Sequence, residues 1–450
     1  LVGGQKEAFT SHEPFAHGFS VLEDIMNPTT LLPSTILMNQ VDLKTLIQEH
    51  GTPLYVMNES YIRHQAQLFK ASFQHASFQT EIFYASKAFL TLAMAKLIEE
   101  EGLSLDVVSL GELMTAIKAG FPSQRILFHG NNKTLLELQT ALKHKVGLIV
   151  VDNPYELDLL MSCLIHPQDV LVRLNPGVEA HTHEYISTTK HDSKFGMSIY
   201  SGETIAMIER IHNHELLNFC GLHCHIGSQI FDPASFQKEA YLLLEFMKKL
   251  KEKHLILTSH LNLGGGFGVR YTDEDDPFDI QIHFKSILNF IQSTCDAFNL
   301  DYPRVSIEPG RSIVAQAGVT IYSIGATKTT HSGKQFVFVD GSMADHIRTA
   351  LYQAKYEAKI LERPLDNPQA MYSVAGKACE TGDILIHECA LPQPQIDEHL
   401  VVFTTGAYHY SMASNYNRLL KPAVIFVSEK EARVIVKAQT IDDLLGLDVV

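Results

Sequence analysis

From residue 81 to residue 309 the chain alternates short β-rich runs with amphipathic helical stretches, and this rhythm limits its fold more than any other feature. The runs are Ile82–Lys87, Asp106–Ser109, Ile126–Gly130, Leu148–Asp152, Val170–Asn175, Gly221–Gly227, His260–Gly266 and Val305–Pro309. Helical patterns lie between them, among them Leu90–Glu101, Gly111–Ala119, Thr134–Lys143 and Phe236–Lys251. Alternation of this kind implies a parallel sheet with crossover helices. Eight units over about 230 residues fit a (β/α)8 barrel, with an open doubly wound sheet as the competing architecture. After residue 310 the texture changes to strand-like runs, Val319–Ile324, Gln335–Val339, Glu398–Thr404, Ala423–Val427 and Ala432–Ile435, separated by Gly and Pro. The expected fold class is α/β, a TIM-like barrel with a separate C-terminal β domain, sandwich or barrel, that also takes in the early strand Pro53–Met57. The expected bounds are a segment 26–60 joining the β domain, a barrel over 61–315 and the β domain over 316–450. Residues 1–25 look unlike the rest and read as an extension, with Met26 as the expected natural start.

In such a barrel the active site lies where the strands end. Lys87 ends the first run, His225 the sixth, Gly264-Gly265-Gly266 the seventh and Glu308-Pro309-Gly310-Arg311 the eighth. The glycines do not fit the dinucleotide fingerprint, because the position three beyond Gly266 is Val269. They suit instead the phosphate site that barrels build from the loops after strands seven and eight, or a tight turn without ligand. A lysine in an apolar strand either snorkels to solvent or serves as a Schiff-base amine activated by a depressed pKa. Phosphate cradle and lysine together suggest pyridoxal phosphate, and Glu308 is placed to hold the cofactor's ring nitrogen protonated. Cys220–His225 superficially resembles a metal site, but strand alternation puts His223 and His225 on one face and Cys220, Leu222 and Cys224 on the other. His181, His183 and Glu184 also look like ligands yet fall in a polar loop, so no metal is expected.

The 36 Lys and Arg against 51 Asp and Glu give a net charge of −15. Such a surface repels nucleic acid and anionic lipid, which favours a small-molecule partner. Six scattered cysteines without a disulfide framework point to a reducing compartment. The first twenty residues carry no signal-peptide pattern, and no apolar run reaches the ~20 residues of a membrane span. A cytoplasmic protein is expected.

At these residues the chain resembles the diaminopimelate decarboxylases, members of the alanine-racemase-like, fold type III pyridoxal-phosphate enzymes. The likeness runs from Gly51 to Arg418. Tyr84–Lys87 resembles the cofactor-lysine motif, while His225–Gln229, Leu263–Gly268 and Glu308–Arg311 resemble the ring-stacking, phosphate and pyridinium motifs. Asn175–Ile186 (NPGVEAHTHEYI) with Lys194-Phe195-Gly196 is the more selective signature. Ile347–Tyr352 is similar to the substrate-carboxylate segment, although Thr349 replaces the usual proline. Cys379–Asp383 resembles a segment donated across a dimer interface, and Gly406-Ala407-Tyr408 with Ser411–Asn417 a segment whose tyrosine reaches phosphate and substrate. Ser86 departs from the commoner apolar residue before the lysine.

The resemblance implies decarboxylation of meso-2,6-diaminopimelate to L-lysine by a homodimer with shared sites. Lys87 would carry the cofactor, His225 cover one ring face, and Ser228, Gly265, Gly266, Gly310, Arg311 and Tyr408 hold it with Glu308. Cys379 would return a proton to the α-carbon, its thiolate disfavoured by the neighbouring Glu380. Arg311, Arg348, Tyr352, Tyr408 and Glu380 would read the distal end of the substrate. Ligands without the distal carboxylate leave arginines unpaired, a loss that can reach ~10⁴-fold. An ornithine or arginine decarboxylase would typically carry aspartate after the cysteine and lack the HTHEYI-type loop. An alanine racemase would keep arginine in place of Glu308. A catalytically dead regulatory relative would have no need of Lys87, Cys379 and Glu308 together.

Overall fold

The computed structural model describes residues 27–178 and 193–450. The expectations for residues 1–25, and for His181, His183, Glu184 and most of the 175–186 motif, lie outside the described residues. Eight parallel strands close into a barrel: β1 (Thr80–Ala85), β2 (Ser104–Val107), β3 (Ile126–Phe128), β4 (Leu148–Val151), β5 (Gln168–Asn175), β6 (Leu217–His223), β7 (His260–Asn262) and β8 (Arg304–Ile307). Each pairs with the next, and β8 returns to β1 through Ile307 opposite Ile82. The open sheet is thereby excluded.

Side-chain alternation along each strand sorts the barrel. Outward residues such as Leu105, Ile149, Val172, Leu261 and Val305 join the large core shared with the surrounding helices. Phe83, Leu127, Leu148, Val150 and Leu171 point inward and form an apolar plug, each stabilising by about 1.5–3 kcal/mol. Above the plug the inward positions turn polar: Asp106, His129, Arg173, His223, Asn262 and Glu308 are all buried. The apolar layer keeps water out from below and leaves the charged layer facing the C-terminal mouth.

Most observed barrel strands end before the sequence reading ends them. Ile82–Lys87 stops at Ala85, Gly221–Gly227 at His223, His260–Gly266 at Asn262 and Val305–Pro309 at Ile307. In the last three, Gly and Pro in the βα loops break the ladder, whereas the first strand ends because the 3-10 turn Ser86–Ala88 follows it directly. Lys87 accordingly stands in a 3-10 turn, Ser86–Ala88, rather than in the strand.

A second sheet is built around the strand Gly318–Thr329, which pairs with Gln335–Val339, His399–Val402 and Leu54–Asn58. Leu54–Asn58 also runs parallel to Ala423–Ser428, so the early strand belongs to this sheet. Ile36, Met38, Leu43 and Leu46 pack with Val319, Val401 and Ile425 beneath it. Three strands that the sequence reading does not contain, Ala358–Ile360, Ala370–Ala375 and Ile384–Leu391, complete the sheet. Ile384–Leu391 includes a solvent-facing His-Glu pair, which blurs its apolar pattern.

Candidate active site

Glu308 follows β8 and lies at the centre of the polar layer. Its Oε1 accepts from Asn262 Nδ2 at 2.8 Å and from His129 Nε2 at 2.8 Å, and His223 Nε2 stands 3.1 Å away. Burial alone would raise its pKa, but His129 and His223 hold it well below the usual carboxylate range. Burial pushes His223 down to about 3, against the pull of Glu308. These three side chains could be mistaken for a metal centre. Separations of 2.8 and 3.1 Å are hydrogen-bond lengths, shorter than the ~3.3 Å edge of a tetrahedron with 2.0–2.1 Å metal bonds.

Lys87 Nζ lies 3.5 Å from Asp106 Oδ2, and its side chain is 39% exposed at the mouth. Burial opposes its charge, yet Asp106, Tyr408 and Glu308 outweigh that and raise the pKa. The expected depressed pKa is therefore corrected: two carboxylates beside the amine favour its charged form. Asp106 itself is fully buried and shifted up, because burial outweighs its attraction to His129 and Lys87.

The loops after β6, β7 and β8 pack tightly. A Cβ on Gly265 would stand 2.1 Å from Glu308 O, and one on Gly266 2.1 Å from Gly227 O. Gly266 also has φ +106°, so no side chain is tolerated there. His225 Nδ1 accepts from the Gly265 N–H at 3.2 Å, and burial holds its pKa well below the usual value. Arg311 donates to Ser228 Oγ at 2.9 Å and to Tyr271 Oη at 2.6 Å, while its Nε is buried without a partner. A flat ring with an anionic phosphate fits this set: backbone and an underused guanidinium at one end, an anion at the other.

The β domain reaches the same mouth through two segments. Tyr408 has φ +61° and bonds Ala88 O through its N–H at 2.8 Å, which fixes it beside the lysine turn. Arg311 and Arg348 lie 4.8 and 5.3 Å from its ring centre. Arg348 opens the helix Arg348–Tyr352, lies 5.1 Å from the Tyr352 ring and donates to Tyr356 Oη at 3.0 Å. Thr349 Oγ1 bonds Ala354 O and Leu385 O, so the hydroxyl anchors this turn where a proline would stiffen it. Gly310 packs on Ala85 and Ala88. Cys379 and Glu380 stand apart from this constellation: Cys379 is exposed, its N–H bonded to Asn417 Oδ1, and Glu380 accepts from Tyr416 Oη.

Asp106, His129, Arg173, Asn262, Tyr271 and Tyr356 are absent from the sequence-derived site. The rule that selected His225 and Glu308, position toward the end of a barrel strand, also selects His129, Asp152 and Arg173 on strands three to five, whereas Asp106 comes near a strand end only because β2 begins at Ser104, two residues before the sequence reading starts it. Tyr271 and Tyr356 carry no such signal.

A barrel mouth holding a lysine, a glycine cradle and a buried anion fits the class of pyridoxal-phosphate enzymes. The family described as pyridoxal-dependent decarboxylase, pyridoxal binding domain, matches residues 59–315. Diaminopimelate decarboxylases of Bacillus subtilis and Bacillus methanolicus are each 48% identical to the chain, over 91% and 88% of it and 94% and 93% of their own lengths. The crystal structure of the M. jannaschii diaminopimelate decarboxylase in complex with L-lysine superposes with a TM-score of 0.88 at 31% identity, covering 94% of this chain and 98% of that one. The chain belongs to the diaminopimelate decarboxylase family.

Proposed function

We propose that this mouth carries out the family's reaction, decarboxylation of meso-2,6-diaminopimelate to L-lysine and carbon dioxide, the last step of lysine biosynthesis. The carrying observation is that Arg311 and Arg348 flank one ring, Tyr408, and no described carboxylate pairs with either. Two guanidiniums without an acid suit a ligand that brings its own carboxylate. Bound pyridoxal phosphate supplies the electron sink for the pair left when the α-carboxylate departs.

The chain's own residues do the rest. Lys87 would hold the cofactor through its amine. Glu308, kept anionic by its donors, would keep a proton on the ring nitrogen. Ser228, Gly265, Gly266 and Tyr408 would hold the phosphate, Gly310 and Arg311 would add to the cofactor site, and His225 would cover one ring face. Arg348, Tyr352 and Tyr408, with Arg311, orient the distal carboxylate, and Glu380 pairs with the distal ammonium. Cys379 delivers the proton to the α-carbon from the other subunit of a cytoplasmic homodimer. The exposure of Cys379 and Glu380 supports a role on a partner. Barrel bounds of 61–315 and β-domain bounds of 26–60 plus 316–450 are part of this reading.

Mass analysis of products from a panel of meso-diaminopimelate, ornithine, arginine and lysine tests it. Lysine from diaminopimelate, with little turnover of the others, is expected. Preferred turnover of ornithine or arginine would refute the substrate assignment.

A further inference from the structure

Three side chains converge on Glu308 Oε1, and one of them also faces a second buried carboxylate. His129 Nε2 lies 2.8 Å from Glu308 Oε1 and 3.8 Å from Asp106 Oδ1. A carboxylate can only accept in this bond, so the proton sits on Nε2. Asp106 in turn stands 3.5 Å from Lys87 Nζ. A line of side chains thus runs from Lys87 at the mouth through the buried Asp106 and His129 to Glu308. Around His129 the charged or titratable groups are Asp106 from the end of β2, Asp152 after β4, His223 on β6 and Glu308 after β8. His223 differs in kind: its ring packs 4.4 Å from that of His129, but it offers Glu308 only the longer 3.1 Å approach.

The geometry points to His129 as a positioning residue that keeps two like-charged carboxylates apart in function, donating to Glu308 so that Glu308 stays an anion despite Asp106. Two buried carboxylates raise each other's proton affinity. Without the Nε2–H donor, Glu308 is the group that takes up a proton, and the ring nitrogen then loses its ionic partner. The inference rests on the assignment of Glu308 to the ring nitrogen, and the experiment separates the two.

The readout is the ¹⁵N resonance of ring-labelled pyridoxal phosphate bound to the protein, together with cofactor affinity by equilibrium dialysis. His129→Met should move the resonance toward the unprotonated-pyridine position and weaken cofactor binding by about 10- to 100-fold, the scale of a hydrogen bond to a charged group. His129→Gln, which can still donate an N–H, should restore most of both. Removing the competing charge in Asp106→Asn/His129→Met should return the resonance toward wild type, and His129→Leu, which also lacks a donor, serves if His129→Met does not fold. His223→Leu should shift it less than His129→Met. Glu308→Gln is run in parallel. If Glu308→Gln leaves the resonance in place, the ring-nitrogen assignment itself fails. If it moves the resonance but His129→Met, or His129→Leu in its place, matches wild type, Glu308 keeps its assignment and the proposal for His129 is overturned.

Discussion

Glu308 in the barrel and Asp345 in the β domain are both buried carboxylates, yet they are driven in opposite directions. Glu308 is 4% exposed and Asp345 6%. Each accepts two hydrogen bonds, Asp345 from Tyr322 Oη at 2.6 Å and the Ser342 N–H at 3.0 Å. Burial pushes both up. Around Glu308 two histidines reverse that push, whereas Asp345 has Asp383 and Asp340 for neighbours and rises to about 7. Hydrogen-bond number does not decide the ionisation state here; the sign of the surroundings does. The barrel has arranged a charge for chemistry, and the β domain has buried an acid that shapes the turn leading to Arg348.

The sharpest division between the two regions is expected from Lys87→Ala. This variant should lose activity on the order of 10⁴-fold or more and lose the cofactor absorbance that borohydride abolishes in wild type. The fold should survive, but the melting temperature without cofactor should fall below that of wild-type apoprotein, because the buried Asp106 loses the amine 3.5 Å away. Wild-type-like turnover would end the cofactor-lysine assignment.

Arg348→Ala probes the β domain's part in the same site. Truncating one partner of a desolvated ion pair costs about 2–5 kcal/mol, so kcat/KM for meso-diaminopimelate should fall by roughly 30- to 5000-fold. Inhibition by lysine, which lacks the distal carboxylate, should change far less. Equal losses would show that Arg348 supports the cofactor or the fold and does not read the substrate.

A smaller effect tests whether one chain contains the whole site. Mixing Lys87→Ala with Cys379→Ala subunits should restore about a quarter of wild-type activity, since random exchange makes half the dimers hybrid and each hybrid has one intact site. Proven exchange without recovery would remove Cys379 from the partner's site.

The smallest effect belongs to Asp345 and appears only as a pH slope. Unfolded, this carboxyl releases its proton near 3.8; folded, it does so near 7. Between those values the native state binds more protons, so its contribution favours folding at the acidic end and is lost as pH rises through the folded pKa. Asp345→Asn cannot titrate. Its melting temperature relative to wild type should therefore climb between about pH 4 and pH 7 and stay level above. A pH-independent difference would mean that Asp345 is ionised throughout.

The barrel and the second sheet were legible because period-two burial and intervening helices leave strong patterns. Strand ends were less so: the functional loops are Gly- and Pro-rich continuations of apolar runs, and sequence alone does not show where the ladder stops at Asn262 or Ile307. The cofactor residues Lys87, the glycines and Glu308 could be read from position at strand ends. His129 obeys the same rule in an ordinary-looking segment, while Asp106 was hidden because its strand starts at Ser104, earlier than the apolar pattern shows. Tyr271 and Tyr356 meet Arg311 and Arg348 only through tertiary folding, and nothing local announces such meetings. The raised pKa of Lys87 likewise depends on Asp106, nineteen positions along the chain and one strand away.

The placement of Leu54–Asn58 bears on how the chain is made. Tyr55 pairs with Thr320 on one side and with Val424 on the other. The last partner is translated about 370 residues later, which at 5–20 residues per second is a wait of roughly 20–70 s. Throughout synthesis of the barrel this all-buried strand has both edges unpaired, a template for aggregation until its neighbours emerge. The β domain is consequently the last part of the protein to acquire its structure, and Arg348 and Tyr408 depend on it. A nascent chain released before residue 423 would carry all eight barrel strands with Leu54–Asn58 still lacking one neighbour.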